Sequence, residues 1–155
     1  MSAPSLQPGQ RIADLELPLA GGGRLRLQDY RGRRNLILVF AGLDCQPCRE
    51  LLSSLAQEYS ELRQATAEVV AVVYGAVRQA EWLQGELNLP FPVLADEDGQ
   101  GHKAFGATAD KKGAVYVSDR YGEIYAVYRP VGEEPLPSVS ELLEWLQFIE
   151  IQCPE

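Results

Sequence analysis

The apolar run Leu36-Ile37-Leu38-Val39-Phe40 and the motif Cys45-Gln46-Pro47-Cys48 that follows it carry most of the structural information in this chain. A continuous apolar run of this kind is typical of a central strand that is buried on both faces of a sheet. From residue 49 to residue 63, apolar residues recur at the spacing of a helix with one face on the core. Two thiols therefore stand at a strand-to-helix turn, which indicates redox chemistry.

The Cys45 thiol lies where the predicted helix begins. A helix N-terminus offers unpaired N–H groups and a partial positive charge, which favour the thiolate of the first cysteine. One helical turn brings Cys48 close to Cys45, so that the two sulfurs can form and reopen a short disulfide. Pro47 suits the first helical turn because its missing N–H removes no hydrogen bond there, and Gln46 and Pro47 together favour a preformed turn.

Composition limits the class of protein. The 155 residues are 46% hydrophobic and 23% charged, which predicts one domain over residues 1–155, with residues 1–7 and 152–155 as mobile tails. The formal net charge of −8 argues against nucleic acid or an anionic membrane surface as a partner. Three cysteines do not suggest a disulfide framework, and no charged-then-apolar leader is seen, so we expect a cytoplasmic protein.

Strands and helices alternate along the chain. Residues 69–74 form a second continuous β-branched run, and two segments that alternate around Gly21-Gly22-Gly23 predict a hairpin over one edge of the main sheet. The other predicted elements are a helix at 77–87, an extended piece at 93–94, a short helix at 100–105, hairpin strands at 114–117 and 123–128, and a helix after Ser138. This order predicts an α/β fold with the cysteine motif at the carboxyl end of a strand.

Further stretches resemble one known fold. They are Pro8-Gly9-Gln10 with a following Leu-x-Leu, residues 25–32, residues 91–96 with Asp98-Gly99, and residues 115–124. With residues 36–48, they make the chain similar to the thioredoxin fold and, within it, to the redoxins, which include AhpC/TSA peroxiredoxin-like proteins and membrane-tethered thiol reductases. The resemblance implies a central mixed β-sheet flanked by helices on both faces, with the N-terminal β-hairpin as an extension.

The chain departs from the thioredoxin pattern at three positions near the motif. Gly113 aligns with the cis-proline that shapes the substrate groove and faces the two cysteines in that family. Val39 stands where thioredoxins bury an acidic residue, and Asp44 stands where a tryptophan precedes the first cysteine. Asp44 raises the pKa of the thiol through its negative charge, whereas Arg49 and the helix N-terminus lower the pKa.

The chain also lacks the peroxide-binding groups of typical peroxiredoxins. That family needs a Thr or Ser three residues before the peroxidatic cysteine and an Arg from the hairpin region. Gly42 stands three residues before Cys45, Cys45 itself stands three residues before Cys48, and the hairpin offers no Arg until Arg120. The sequence is therefore similar to peroxiredoxin-like proteins that carry a CxxC in place of Thr-x-x-Cys.

Two other potentially reactive residues lie outside the motif. Cys153 could act as a remote resolving thiol, although a tail thiol without a role is the simpler interpretation. His102 is the only histidine, and we interpret it as a solvated surface residue. A zinc site from both of these with Cys45 and Cys48 would need ligands from separate elements without paired spacing, so we predict no metal ion and no cofactor.

The sequence thus predicts a thiol-disulfide oxidoreductase in which Cys45 is the nucleophile and Cys48 resolves the mixed disulfide. Gln46, Pro47, Asp44, Arg49 and Gly113 would support the pair. The expected partners are a protein disulfide or peroxide substrate and an external dithiol reductant. Two alternatives stay open: a peroxiredoxin-like thiol peroxidase that reduces hydroperoxides, with Cys48 able to attack, and a non-catalytic redox sensor or adaptor.

Overall fold

The chain folds around a mixed sheet with helices on both faces. The computed structural model describes residues 6–107, 113–130 and 134–152. The elements are β1 (Glu16–Pro18), β2 (Arg24–Arg26), a 3-10 helix (Leu27–Tyr30), β3 (Asn35–Ala41), α1 (Gln46–Gln57), α2 (Tyr59–Gln64), β4 (Ala67–Val73), α3 (Val77–Leu87), β5 (Val93–Ala95), α4 (Gln100–Phe105), β6 (Ala114–Ser118), β7 (Ile124–Tyr128) and α5 (Val139–Gln152).

The main sheet has the strand order β5-β4-β3-β6-β7. Strands β3, β4 and β5 are parallel, whereas β6 is antiparallel to β3 and β7 is antiparallel to β6. Phe40 pairs with Ala114 and Leu36 pairs with Ser118. The carboxyl end of β3 and the start of β6 therefore lie at the same end of the strands, and the β6–β7 turn lies at the opposite end.

Alternate residues of β3 point into two separate cores. Val39 and its same-face neighbours pack with helices α1, α2, α3 and α5 in the larger core. Phe40 and its same-face neighbours pack with α4 and the N-terminal segment in the smaller one. All seven residues of β3 are buried, because both faces of the strand are covered. The cysteine motif follows this strand and joins the larger core.

The N-terminal hairpin lies on the β5 edge, as the sequence predicts. Strands β1 and β2 pair antiparallel around the glycine turn. Leu19 forms a β-bridge with Leu94, and the N–H of Ala20 donates to the carbonyl of Val93 at 2.9 Å. The hairpin thus covers an edge strand that would otherwise expose unpaired backbone groups.

One predicted helix is divided in the structure. The segment expected as a single helix over 49–63 forms α1 and α2, separated at Glu58, whose φ of −103° and ψ of 18° are not helical. The helices at 77–87 and 100–105 have the predicted bounds. Among the described residues, no helix combines the length and apolar character needed to cross a membrane. The single domain and its mobile tails stay a prediction.

Candidate redox site

Cys45 and Cys48 are joined by a disulfide where β3 leads into α1. Their Cα atoms are 5.2 Å apart. The exposed fractions of Cys45 and Cys48 are 1% and 0%, whereas Gln46 and Pro47 between them are exposed. A reaction partner therefore reaches either sulfur only after neighbouring groups move.

The Cys45 side chain caps helix α1. Its Sγ accepts a hydrogen bond from the backbone N–H of Cys48 at 3.1 Å, which is the role of a Ser or Asp oxygen at many helix N-termini. The helix begins at Gln46 rather than near Arg49, so the first cysteine lies directly at its positive end. After reduction, the same N–H can stabilise a thiolate on Cys45.

Gly113 lies directly against the second sulfur. A Cβ atom added here would be 2.6 Å from Sγ of Cys48 and 3.2 Å from the carbonyl oxygen of Phe40, so a side chain would displace its neighbours. The φ of Gly113 is +78°, a conformation that favours glycine. Gly113, which we aligned with the cis-proline, thus lies beside the cysteine pair, and the atom nearest to an added Cβ is Cys48 Sγ.

The residues around the motif are directed toward different neighbours. Asp44 is exposed, and the Gln46 side-chain amide donates to Glu50 at 3.3 Å. The Arg49 guanidinium lies 5.4 Å from the ring centre of Trp82 and 3.9 Å from a carboxylate oxygen of Glu86. Arg49 is therefore held against helix α3. Its predicted effect on the pKa of the Cys45 thiol stays a prediction.

A groove of about 820 Å³ begins at the motif and runs between α1 and the segment before α5. Pro47 lies at one end of its α1 wall and Glu58 at the other. Leu136 forms part of the opposite wall, and its Cδ1 atom is 3.7 Å from the position of a Cβ atom on Gly113. Sequence reasoning missed this groove, because its two walls are far apart in the chain and no motif marks Leu136.

The peroxide-binding groups that the sequence lacks are not replaced by the residues we aligned with them. Gly42 offers only its backbone, and its carbonyl accepts the Cys45 N–H at 3.3 Å. Arg120 follows β6 at the end of the strands opposite Cys45. Its Nη2 donates to both carboxylate oxygens of Glu150 at 2.9 and 2.7 Å. Val39 is fully buried, so the strand below the motif places an apolar side chain in the acidic position of thioredoxins.

The interpretation of His102 as a solvated residue is wrong. Only 3% of this residue is exposed, and its Nδ1 lies 2.6 Å from Oδ2 of the fully buried Asp96. Asp96 also accepts backbone N–H groups of Gly101 and His102 at 2.9 and 2.8 Å. The imidazole packs edge-on against the ring of Phe40, in the smaller core, whereas Cys45 and Cys48 lie in the larger one. The pair anchors the start of α4 and does not join the disulfide.

We expect Asp96→Ala to lower the free energy of unfolding by about 1–3 kcal/mol, because the buried imidazole and the backbone N–H groups of Gly101 and His102 lose their acceptor. Burial alone raises the pKa of Asp96, but the hydrogen bonds from His102 and two backbone amides outweigh it and lower the pKa below its ordinary value. Its stabilisation is therefore present above the unfolded-state pKa and is lost as the pH falls through the folded-state pKa. Urea unfolding at neutral and acid pH measures both effects.

Asp96→Asn is the matched variant for the acid effect, since it keeps the size of the side chain and cannot ionise. Below about pH 4, the wild type should lose more stability than Asp96→Asn. Equal losses in the two proteins would contradict the assignment of this acid sensitivity to Asp96.

The remaining predictions concern the tail and metal ions. Cys153 lies outside the described residues, so its role as a remote thiol stays a prediction. Across residues 6–107, 113–130 and 134–152, no cluster of three or more His, Cys, Asp or Glu side chains could hold a metal ion. The zinc site that we considered is also divided, because His102 lies on the other face of the sheet from Cys45.

The chain is similar to known proteins over most of its length. A family model described as the AhpC/TSA family matches residues 8–127. A peroxiredoxin of Nanoarchaeum equitans is 27% identical over 153 residues, which cover 90% of this chain and 68% of that protein. A Chlorobium tepidum protein assigned as a thiol:disulfide interchange protein DsbE is 26% identical, with a TM-score of 0.77 and coverage of 93% of this chain and 97% of that one.

A further solved structure shows the shared fold at lower identity. AhpC of Mycobacterium bovis has a TM-score of 0.82 at 18% identity and covers 99% of this chain and 96% of its own. The thioredoxin-like architecture expected from the sequence is therefore confirmed.

Proposed function

This chain belongs to the AhpC/TSA family, whose members are oxidoreductases that act on peroxides or disulfides, and we propose that it is a thiol-disulfide oxidoreductase that works through Cys45 and Cys48. The observation that carries the proposal is the disulfide at the N-terminus of α1, with Cys45 Sγ as the helix cap. A sulfur in this position is stabilised as a thiolate.

Exchange would proceed in two balanced steps. The Cys45 thiolate attacks one sulfur of a substrate disulfide, so that a Cys45–substrate disulfide forms and the other substrate sulfur leaves as a thiolate. Cys48 then loses its proton and attacks Cys45 Sγ, which releases the second substrate thiolate and forms the Cys45–Cys48 disulfide. Two electrons pass from the protein to the substrate.

An external dithiol must restore the reduced pair. The donor attacks the Cys45–Cys48 disulfide, becomes a disulfide itself, and returns two electrons and the protons that the cysteines need. The proposed compartment is the cytoplasm, where such dithiol donors keep thiols reduced. Because both cysteines are buried in the disulfide form, each half-reaction includes a movement that exposes a sulfur.

A thiol peroxidase is the second candidate, and the peroxiredoxin relatives favour it. A cysteine thiolate would attack a hydroperoxide, become sulfenic acid and release an alcohol or water; the second thiol would then condense with it and release water. Cys48 could be the attacking residue, with Cys45 at the Thr position. This candidate has less structural support than exchange. Gly42 offers only its backbone near Cys45, and Arg120 is paired with Glu150, whereas the Cys45 sulfur caps a helix, which supports exchange.

Insulin reduction by dithiothreitol tests the proposal. The wild-type protein should accelerate it, and Cys45→Ser should return the rate to that of dithiothreitol alone, because the attacking sulfur is lost. Consumption of hydrogen peroxide, coupled to a thiol donor, tests the peroxidase; a loss of that activity in Cys153→Ser would identify the tail thiol as the resolving one.

The outcomes separate the three candidates. Cys45-dependent insulin reduction without peroxide consumption supports the exchange enzyme, whereas the reverse result would replace it with the peroxidase. Inertness in both assays, with the pair still oxidisable, would indicate the sensor.

A further inference from the structure

The groove beside the disulfide carries charge of one sign. Its ionisable lining side chains are Glu50, Glu58 and Glu134, and none of the described lining residues is a Lys, Arg or His. The chain as a whole has a formal net charge of −8. A ligand with positive charge is therefore attracted to this groove, and an acidic one is repelled.

The rest of the lining is largely apolar. Leu51, Leu136 and Val139 contribute aliphatic surface, and the lining also includes prolines on both walls. Apolar surface between carboxylates suits a chain in which aliphatic side chains alternate with basic ones. An extended segment has this property, because successive side chains point in opposite directions.

The length of the groove also suits an extended polypeptide. Its α1 wall runs from Pro47 to Glu58, which corresponds to about 16 Å at 1.5 Å per helical residue. An extended strand rises about 3.3 Å per residue, so about five residues would lie along this wall.

The groove is connected to the reacting sulfurs through Leu136. This side chain lies in the groove wall, and its Cδ1 atom is 3.7 Å from the position that a Cβ atom on Gly113 would take. Cys48 Sγ is 2.6 Å from that same position. At this same end, the groove touches Pro47 between the two cysteines. A segment bound here is held next to the disulfide.

We propose that this groove docks an extended, basic segment of the disulfide-bearing polypeptide that the chain reduces. The inference rests on the proposed thiol-disulfide exchange and names the class of substrate that the exchange favours. Lysine or arginine side chains of the segment would pair with Glu50 and Glu58, while its aliphatic side chains would lie on Leu51 and Leu136. The substrate disulfide would then lie beside Cys45.

Three short synthetic peptides test this proposal. Each carries one cysteine in a mixed disulfide with 2-nitro-5-thiobenzoate, and the flanking residues are Leu alternating with Lys, with Glu or with Ser. Release of the coloured thiolate by the reduced protein, which reacts once, gives a second-order rate constant for each peptide. We expect the Lys peptide to exceed the Glu peptide by about tenfold at about 0.02 M salt, and the ratio to shrink at about 0.5 M salt because the charges are screened.

Two double variants locate the effect. Glu50→Gln with Glu58→Gln should reduce the Lys-to-Glu peptide ratio by more than half. Asp29→Asn with Glu123→Gln also removes two negative charges, but near the start of β3, at the end of the strands opposite Cys45. This double variant should leave the ratio unchanged. The salt dependence of the wild type tests the proposal without relying on any variant.

Equal second-order rate constants for the Lys and Glu peptides at low salt would overturn the proposal, and so would an equal loss of the ratio in both double variants. The Ser peptide separates the two levels of inference. If the Ser peptide is reduced in a Cys45-dependent way and the Lys peptide reacts no faster than the Glu peptide, only the basic-substrate proposal is overturned. Failure of Cys45-dependent reduction for every peptide would overturn the proposed function as well.

Discussion

A single-thiol variant that keeps Cys45, made by Cys48→Ser with Cys153→Ser, is expected to stop turnover and accumulate a covalent mixed disulfide with substrate. Cys45 can still attack, because the N–H that donates to its Sγ at 3.1 Å belongs to the backbone of residue 48 and survives the substitution. The product cannot leave, since no second protein thiol remains to attack the mixed disulfide. Intact-mass measurement after incubation with oxidised insulin detects the adduct.

The matched variant keeps Cys48 instead, through Cys45→Ser with Cys153→Ser. It should form little adduct in the same time, because the backbone N–H at the start of α1 donates to Cys45 Sγ, whereas Cys48 Sγ lies against Gly113. An adduct on Cys48 but not on Cys45 would reverse the two roles. That result would favour the peroxidase alignment, in which Cys45 stands in the Thr position.

The placement of the cysteine pair was predictable because it depends on local structure. A buried strand, a turn and a helix follow one another within residues 35–57, and this order alone puts Cys45 at a helix N-terminus. The start of the helix was predicted too late, since Gln46, Pro47 and Cys48 precede the first apolar repeat. The division of the helix at Glu58 was missed because no Gly or Pro marks it.

Long-range contacts were not predictable in the same way. His102 forms a short-range pair with Asp96, but its burial depends on Phe40 and Tyr74, which come from elements far earlier in the chain. The acidic groove requires α1 to lie beside the segment around Leu136. The spacing of apolar residues predicts which face of a helix is buried, but it does not predict which distant segment will lie beside the polar face.

The position of Gly113 was predicted by alignment, whereas its contact with Cys48 comes only from the structure. We expect Gly113→Ala to lower stability and to make the Cys45–Cys48 disulfide easier to reduce. The φ of +78° costs an alanine about 1–2 kcal/mol. The new Cβ would also lie 2.6 Å from Cys48 Sγ. In the disulfide this sulfur is tied to Cys45, whereas in the dithiol it can rotate away, so the crowding penalises the oxidised form more.

Redox titration against a dithiothreitol buffer, read by thiol alkylation and mass, measures this difference. If crowding costs the oxidised form about 1.4 kcal/mol more than the reduced form, the midpoint potential rises by about 30 mV. Gly122→Ala is the matched control, because its φ of +89° imposes similar backbone strain while its nearest neighbour, Ile12 Cγ1, is 3.6 Å away. It should lose stability without a change in potential. The same potential in both variants would show that Gly113 sets backbone conformation only and does not control the space around the second sulfur.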